Sequence, residues 1–444
     1  MVSLRAADRA LIAAALPPPQ IARLGNGLRV AWIDRPASPV VSTALCYRAG
    51  RRHDHARHGG SAHFLEHMMF RGSARFGAGE LDRLTRRAGG HNNAFTTHDA
   101  TLYEFAFARE HWPLALVLEA DRMHALRIDP DDVERERRVI EEEIAMYRDD
   151  PWDALEQAVL ARLFGRHPYG RAVLGRVADL RRTDASVLAA FHQRHYRPEN
   201  AVLAIAGGAG EDVVARAEEA FAQPARTVPM PAAGPGHKPD PAPARAPEAK
   251  PRARATVRIR RHAGEVPRLL IALRAPPGDA EDHACLELLL AVLTTGRSSR
   301  LHRQLVDRQP RCAFVSAQVQ ESPDPGALTL AAELLPGVEP ARVEACVLEA
   351  LGALVRTPPA PAELRRARRM MVADWVFAHQ RVEQQAVTSA LTLGLFDAGH
   401  PRDRLGRLLT ASRDRLHSAA QRWLDPEAGA VIGWSFDAAG HGDG

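Results

Sequence analysis

At 444 residues the chain is longer than one ordinary core accommodates, so two or more domains are expected. Its 45% apolar and 25% charged residues are those of a soluble globular protein, and nothing approaches the run of about 18 apolar residues that spans a bilayer. The net charge of +5 comes from Arg scattered among Asp and Glu, and aromatic content is 5%, which argues against a nucleic-acid partner.

Met1 to Gln20 carries Arg5 and Arg9 but only the short apolar run Ala10 to Leu16, with Asp8 among the basic residues and Pro17 to Pro19 directly after. This is a poor secretory signal, so the cytoplasm is expected, with the periplasm as the alternative. Leu28 to Ile33 and Val40 to Tyr47 read as strands divided by a turn at Pro36-Ala37-Ser38-Pro39. Gly59-Gly60 then precede a helix running to about Phe70, which contains His63-Phe-Leu-Glu66-His67.

On a helix, positions i, i+3 and i+4 share a face, so these three side chains point at one place. Two neutral imidazoles suit zinc, and a carboxylate that is not a ligand can deprotonate a water polarised by the metal. H-x-x-E-H is the reverse of the commoner zinc-protease pattern H-E-x-x-H. The chain has 20 His, with His53, His55 and His58 just upstream, so a chance match is the competing explanation. A chance match predicts no further ligand on a second helix, whereas a catalytic zinc needs three protein ligands and an open position.

Gly79 to Ala88 reads as a short helix ended by Gly89-Gly90. Asn92 to Thr97 and Thr101 to Phe107 follow as paired strands, the first a candidate edge strand that an extended peptide could join. Glu110 to Leu126 and Pro130 to Tyr147 are long helices, the latter with Asp129 as N-cap. In that second helix Val133, Ile140, Ile144 and Tyr147 form the apolar stripe. Glu142 lies opposite it, Glu136 and Glu143 share one flank, and Glu141 on the other flank stays open as a ligand by angle alone.

From about Pro224 to Arg254 the chain is rich in Pro, Ala and basic residues, a composition that favours extended linkers over packed structure. The expected division is therefore residues 1–223, a linker at 224–254, and residues 255–444. The second segment loosely repeats the first. Strands near Ala255–Arg260 and Leu269–Leu273 precede an apolar helix at Asp282–Leu293, then strands near Ala313–Gln320 and Ala327–Leu334. Its His283-Ala-Cys-Leu-Glu287 lacks the second His, so it is not expected to hold zinc in the same way. Cys46, Cys285, Cys312 and Cys346 form no C-x-x-C pair, which makes free thiols the default.

The stretch G-G-S-A-His63-F-L-Glu66-His67-M-M-F-R-G-S resembles the active-site segment of the pitrilysin/insulinase family of zinc peptidases, which includes the mitochondrial processing peptidases. E-R-R-V-I-E-E-Glu143-I-A-M-Y-R-D-D-P resembles the family's second element, 75 residues beyond His67. The resemblance implies one zinc per chain, held by His63, His67 and Glu143, with Glu66 as general base. Glu136 matches a further acidic residue kept near the metal and is grouped with Glu66 as catalytic. Asn93-Ala94-Phe95-Thr96 resembles the strand that pairs with substrate, which makes Asn93 and Ala94 substrate-binding candidates. His167-Pro-Tyr-Gly170, Phe191 to Asn200 and Gly296-Arg-Ser-Ser-Arg-Leu301 also resemble family segments, so the similarity runs from about Gly25 to Gly399.

The implied fold is α+β: two homologous α/β roll domains, mixed or antiparallel sheet packed with helices, facing each other across a substrate chamber. The implied activity is zinc-dependent endopeptidase action on peptides or unfolded segments. Active relatives carry an Arg and a Tyr in the second domain, but here those positions are Val306 and Ala313, with Arg308 and Phe314 a shifted approximation. A homologous subunit is therefore expected to supply the pair, as a heterodimer or alternatively a homodimer. The competing function is a non-catalytic assembly subunit with a peptidase fold.

Overall fold

The computed structural model describes residues 10, 14–222, 255–261 and 266–437. The expected linker at 224–254, and most of the N-terminal run read for a signal, lie outside the described residues. Runs of alternating side-chain direction assemble into two sheets. The first has the order β1-β2-β6-β3-β5-β4. Its strands are β1 (Gln20–Arg23), β2 (Arg29–Asp34), β3 (Val40–Tyr47), β4 (His91–Thr96), β5 (Thr101–Ala108) and β6 (Ala201–Gly207). The second has the order β7-β11-β8-β10-β9. Its strands are β7 (Ala255–Arg261), β8 (Arg268–Arg274), β9 (Cys312–Val319), β10 (Ala327–Leu334) and β11 (Val431–Asp437).

The two sheets repeat one pattern of pairing. β2 and β6 are parallel in the first, β7 and β11 in the second, and every other pairing is antiparallel. β4 and β9 are the corresponding outer strands. The chain is thus one mixed-sheet unit built twice.

The two faces of the first sheet differ in side-chain size. One carries Val30, Val41, Leu45, Tyr103, Phe105, Leu203 and Ile205, packed against Phe64, Leu65 and Met68 of the motif helix Ser61–Met68. The other carries Ala31, Ala44, Ala204 and Ala206 and is covered by Ala386, Ala390 and Leu393 of the helix Val382–Leu395, which belongs to the second half of the sequence. Small residues on both partners permit a close approach. A Cβ added at Gly394 would lie 3.1 Å from Cys46 Sγ.

The exchange is reciprocal. The helix Pro151–Phe164, from the first half, lays Leu155, Val159 and Leu163 on Leu270, Ala272 and Val431 of the second sheet. Gly433 lies beneath it, where a Cβ would collide with Val159. Each sheet therefore draws one cover from the other half of the chain.

A buried ion cluster fastens the halves as well. Arg52 reaches Asp99, in the β4–β5 turn, and Asp324, in the β9–β10 turn, at 2.8 Å each. Tyr169 of the His167-Pro-Tyr-Gly170 segment donates to Asp99 at 2.8 Å. Breaking a buried pair of this kind costs about 3–5 kcal/mol, because the remaining charge is stranded.

Two sequence expectations shift. The helix placed at Glu110 begins at Pro113, where proline suits the first turn. Tyr147, expected on an apolar stripe, is 41% exposed, with Met146 beside it at 62%. The long helix Pro130–Asp149 buries Val133, Ile140 and Ile144, and its last turns then run past the edge of the core.

Candidate metal centre

The motif helix starts at an unusual cap. Gly60 sits at φ 97°, in the left-handed region, and a Cβ there would strike the Leu174 carbonyl. Having no side chain, it cannot cap the helix, and buried Asp54 does so instead. Its carboxylate accepts from the Gly60 N–H at 2.6 Å and the Ala62 N–H at 2.9 Å. Burial pushes Asp54 up to about 7, while Arg51 at 3.2 Å and these N–H groups favour its charged form. This anchorage fixes the start of the helix that presents His63, Glu66 and His67 on one face.

The helix Pro130–Asp149 crosses that face and brings in a carboxylate. Glu143 Oε2 lies 3.7 Å from His63 Nε2 and 3.4 Å from His67 Nε2. Among the described residues, these three form the one His/Cys/Asp/Glu group with ligand atoms close enough to share an ion, all within 4.8 Å of one another. The other glutamates are occupied elsewhere. Glu141 pairs with Arg181 at 3.0 Å, Glu134 pairs with Arg137 at 3.0 Å, and Glu142 is exposed. His53 turns away, accepting from the Gly50 N–H.

Glu136 stands one layer behind. It is buried and accepts a hydrogen bond from His67 Nδ1 at 3.0 Å and another from Arg71. His67 thus has a carboxylate at each ring nitrogen, Glu136 at Nδ1 and Glu143 at Nε2; on metal binding the proton would stay on Nδ1, leaving the Nε2 lone pair for the metal. Burial alone would lower the proton affinity of His67, but the bonds with Glu136 and Glu143 outweigh it and carry the pKa up to about 9. His63, buried without such a partner, is pulled down to about 4 by burial and by His67. The bond with His67 holds Glu143 below the usual carboxylate range. Burial would raise Glu136, yet His67 and Arg71 keep it low.

The donor set fits zinc. Two imidazole nitrogens and one carboxylate oxygen are common zinc ligands, and tetrahedral ligands about 2 Å from the metal stand roughly 3.3 Å apart. The two Nε2–Oε2 distances, 3.7 and 3.4 Å, are close to that. Replacing Glu136 by Ala removes the acceptor that orients His67 and should weaken zinc binding by about 10–100-fold. Competition with a chromogenic chelator measures this, and unchanged affinity would rule out the orienting role.

Glu66 points into the same space without joining the ligand group. Burial raises its pKa, against the opposing pull of a 2.6 Å hydrogen bond from Thr96 Oγ1. Beside it, Asn93 and Ala94 lie on β4, whose outer edge pairs with no other strand among the described residues. Together with Glu66, His67 and Glu136 they line a cavity of about 470 Å³. Every lining residue falls between positions 66 and 139. Val306 packs against the second core, and Phe314 stands against Trp152 with ring centroids 5.5 Å apart. In the second half, the counterpart Glu287 faces a protein cation, Arg404, at 3.1 Å, and His283 meets the Gln320 carbonyl at 3.3 Å.

Sequence reasoning did not single out Asp54, Arg71 or Thr96. Thr96 was inside the quoted N-A-F-T run, and Arg71 is one turn beyond His67, so spacing could have flagged both. Asp54 acts through backbone N–H groups and leaves no pattern. Among the described residues, no helix is long and apolar enough to cross a membrane.

Two repeated mixed-sheet units, one of them bearing an H-x-x-E-H centre completed by a distant Glu, define a class that comparison identifies directly. The chain belongs to the insulinase family, peptidase family M16: the insulinase model matches residues 29–176 and the peptidase M16 inactive-domain model residues 183–371. It is 31% identical over 393 residues to an uncharacterised zinc protease of Mycobacterium leprae, covering 86% of this chain and 80% of that one. It is 33% identical over 401 residues to an uncharacterised zinc protease of Mycobacterium tuberculosis, covering 89% and 84%. The crystal structure of a protease from Helicobacter pylori shares the fold with a TM-score of 0.86 at 22% identity, over 95% of this chain and 100% of that one. A peptidase M16 inactive-domain structure from Pseudomonas fluorescens gives 0.79 at 18% identity, over 96% and 99%.

Proposed function

We propose that this chain is a zinc-dependent metalloendopeptidase acting on peptides or unfolded protein segments, completed by a homologous subunit. The observation that carries the proposal is the convergence of His63 Nε2, His67 Nε2 and Glu143 Oε2, with the half-buried Glu66 carboxylate beside them and an open strand edge next to it. Zinc held by the three ligands supplies Lewis-acid polarisation of a water and of the scissile carbonyl. Glu66 takes the proton from the attacking water and passes it to the leaving amine, a task that suits a carboxylate raised by burial. β4 receives the substrate as an added strand, using backbone hydrogen bonds around Asn93 and Ala94. Most strands of a folded protein are already paired or have protected edges, which favours extended substrates.

The subunit follows from what the cavity lacks. Its wall comes from the first half alone, and the positions where relatives carry Arg and Tyr hold Val306 and Ala313. Loss of one such hydrogen-bond donor to a developing oxyanion costs about 10²–10³ in kcat. Peptide cleavage by the purified chain should therefore rise about 100-fold or more when a homologous Arg/Tyr-bearing subunit is added. High activity of the lone chain, unchanged by the subunit, would sink this part of the reading. Four free cysteines support the cytoplasm as the compartment.

A further inference from the structure

The long helix Pro130–Asp149 runs on past the edge of the core, and the face that carries its metal ligand is largely apolar there. At 100° per residue, Glu136, Val139, Glu143, Met146 and Tyr147 fall within an arc of about 100°. Val139 and Tyr147 stand one turn before and one turn after Glu143, each about 6 Å from it along the axis. Among the described residues six large apolar side chains are exposed, and Val139, Met146, Tyr147 and Phe314 are four of them. Single exposed apolar residues need no explanation, whereas a contiguous group marks a binding surface.

Tyr147 is turned to the metal side of its helix. Partial burial raises its hydroxyl above the ordinary value, and the carboxylates of Glu143, Asp153 and Glu66 raise it further. Glu66 belongs to the motif helix, so the ring reaches into the space between the two helices. Asp153 lies in the first turn of Pro151–Phe164, next to Trp152, whose ring stands against Phe314 of β9. Apolar surface thus runs from Val139 past Glu143 to Tyr147 and on towards the second sheet. The 470 Å³ cavity takes in Val139 but neither Met146 nor Tyr147, which lie beyond Glu143.

A peptide with its carbonyl at the metal has to cover both neighbours of Glu143 on this face. The charged groups of the face are engaged already, Glu136 by His67 and Arg71, Glu143 by His63 and His67. A ring and a thioether are what remain for a substrate side chain.

We propose that Tyr147 is a specificity-determining residue: its ring, with Met146 beside it, seats a large apolar side chain of the substrate across the metal from the Asn93 cavity. The proposal rests on reading the centre as a peptidase site. Asp153 makes a basic side chain the competing occupant, and the homologous subunit is another.

The test uses wild type, Tyr147→Ala and Tyr147→Phe, each zinc-loaded and combined with the homologous subunit where turnover requires it. Cleavage sites in a mixed-sequence peptide library are read by mass spectrometry, and large apolar residues should be enriched at one position near the cut. Two quenched peptides with Leu or Ser at that position then give a ratio of kcat/KM. Tyr147→Ala should lower this ratio by about 10-fold, and Tyr147→Phe should keep it. A distorted site would slow both peptides together and leave the ratio alone. Should Tyr147→Ala shed zinc or melt early, Tyr147→Gln keeps the length without the ring: a lowered ratio supports the seat, and an unchanged one refutes it.

No apolar enrichment in wild type, enrichment of Lys or Arg, or a ratio kept in Tyr147→Ala would each overturn the proposal. So would equal losses in Ala and Phe, which would assign the effect to the hydroxyl. Weaker subunit association with an intact ratio would give the surface to the subunit instead. Binding of the same two peptides to zinc-loaded Glu66→Gln, followed by fluorescence anisotropy, separates the seat from the chemistry. A wild type that cleaves nothing refutes the peptidase reading, and the seat then stands or falls on whether tighter binding of the Leu peptide depends on Tyr147.

Discussion

Glu66→Gln should retain one zinc per chain and lose turnover by roughly 10²–10⁴-fold, the range that a positioned general base contributes. The amide keeps the shape and burial of the carboxylate but cannot accept a proton from water. Glu66 lies outside the ligand group of His63, His67 and Glu143, and its hydrogen bond goes to Thr96 at 2.6 Å. Metal analysis by mass spectrometry should thus read the same as wild type, while the peptide assay collapses. Equal activity in the two proteins would rule out Glu66 as the base. Loss of zinc in Glu66→Gln would move Glu66 into the ligand set and contradict the geometry.

His67→Ala should have the opposite signature and shed the metal. The change removes a donor from the group of three and leaves buried Glu136, bonded to His67 Nδ1 at 3.0 Å, with Arg71 as its remaining partner. The two remaining donors, His63 and Glu143, are too few for a catalytic zinc site. Substoichiometric zinc and no detectable cleavage are expected. Full zinc occupancy in this variant would place the metal elsewhere. Substoichiometric zinc in wild type and variant alike would favour the assembly-subunit reading over catalysis.

Local periodicity made the motif readable, because three residues within five positions on one helix must share a face. It also narrowed the acidic candidates of the long helix to Glu136, Glu141 and Glu143. It could not choose among them, because the choice depends on which flank the motif helix crosses. The structure puts Arg181 against Glu141 and the histidines against Glu143, and neither neighbour is near in sequence. Strand patterning indicated four strands of each sheet, missed β1, β6 and β11, and left the covers unread. Val382–Leu395 and Pro151–Phe164 are apolar enough for any core, and nothing in their composition names the sheet each one joins. The small residues at Ala31, Ala44, Ala204 and Ala206 are the trace of the first exchange, legible only once a helix is seen on them. Tyr147 was assigned to the apolar stripe by angle alone, which carries no information about where the core ends.

The exchanged helices also impose an order on synthesis. The first sheet has all its strands once Gly207 has left the ribosome, yet its alanine-lined face has no cover until Val382–Leu395 follows. Until then the nascent chain holds an apolar sheet surface open to solvent, the kind of surface that recruits chaperones and seeds aggregation. The core that holds His63, Glu66, His67 and Glu143 lies on the opposite face and draws only on the first half, so one face of the sheet is packed while the other waits. Contacts this distant in sequence also make for slow folding, so the alanine-lined face is closed last.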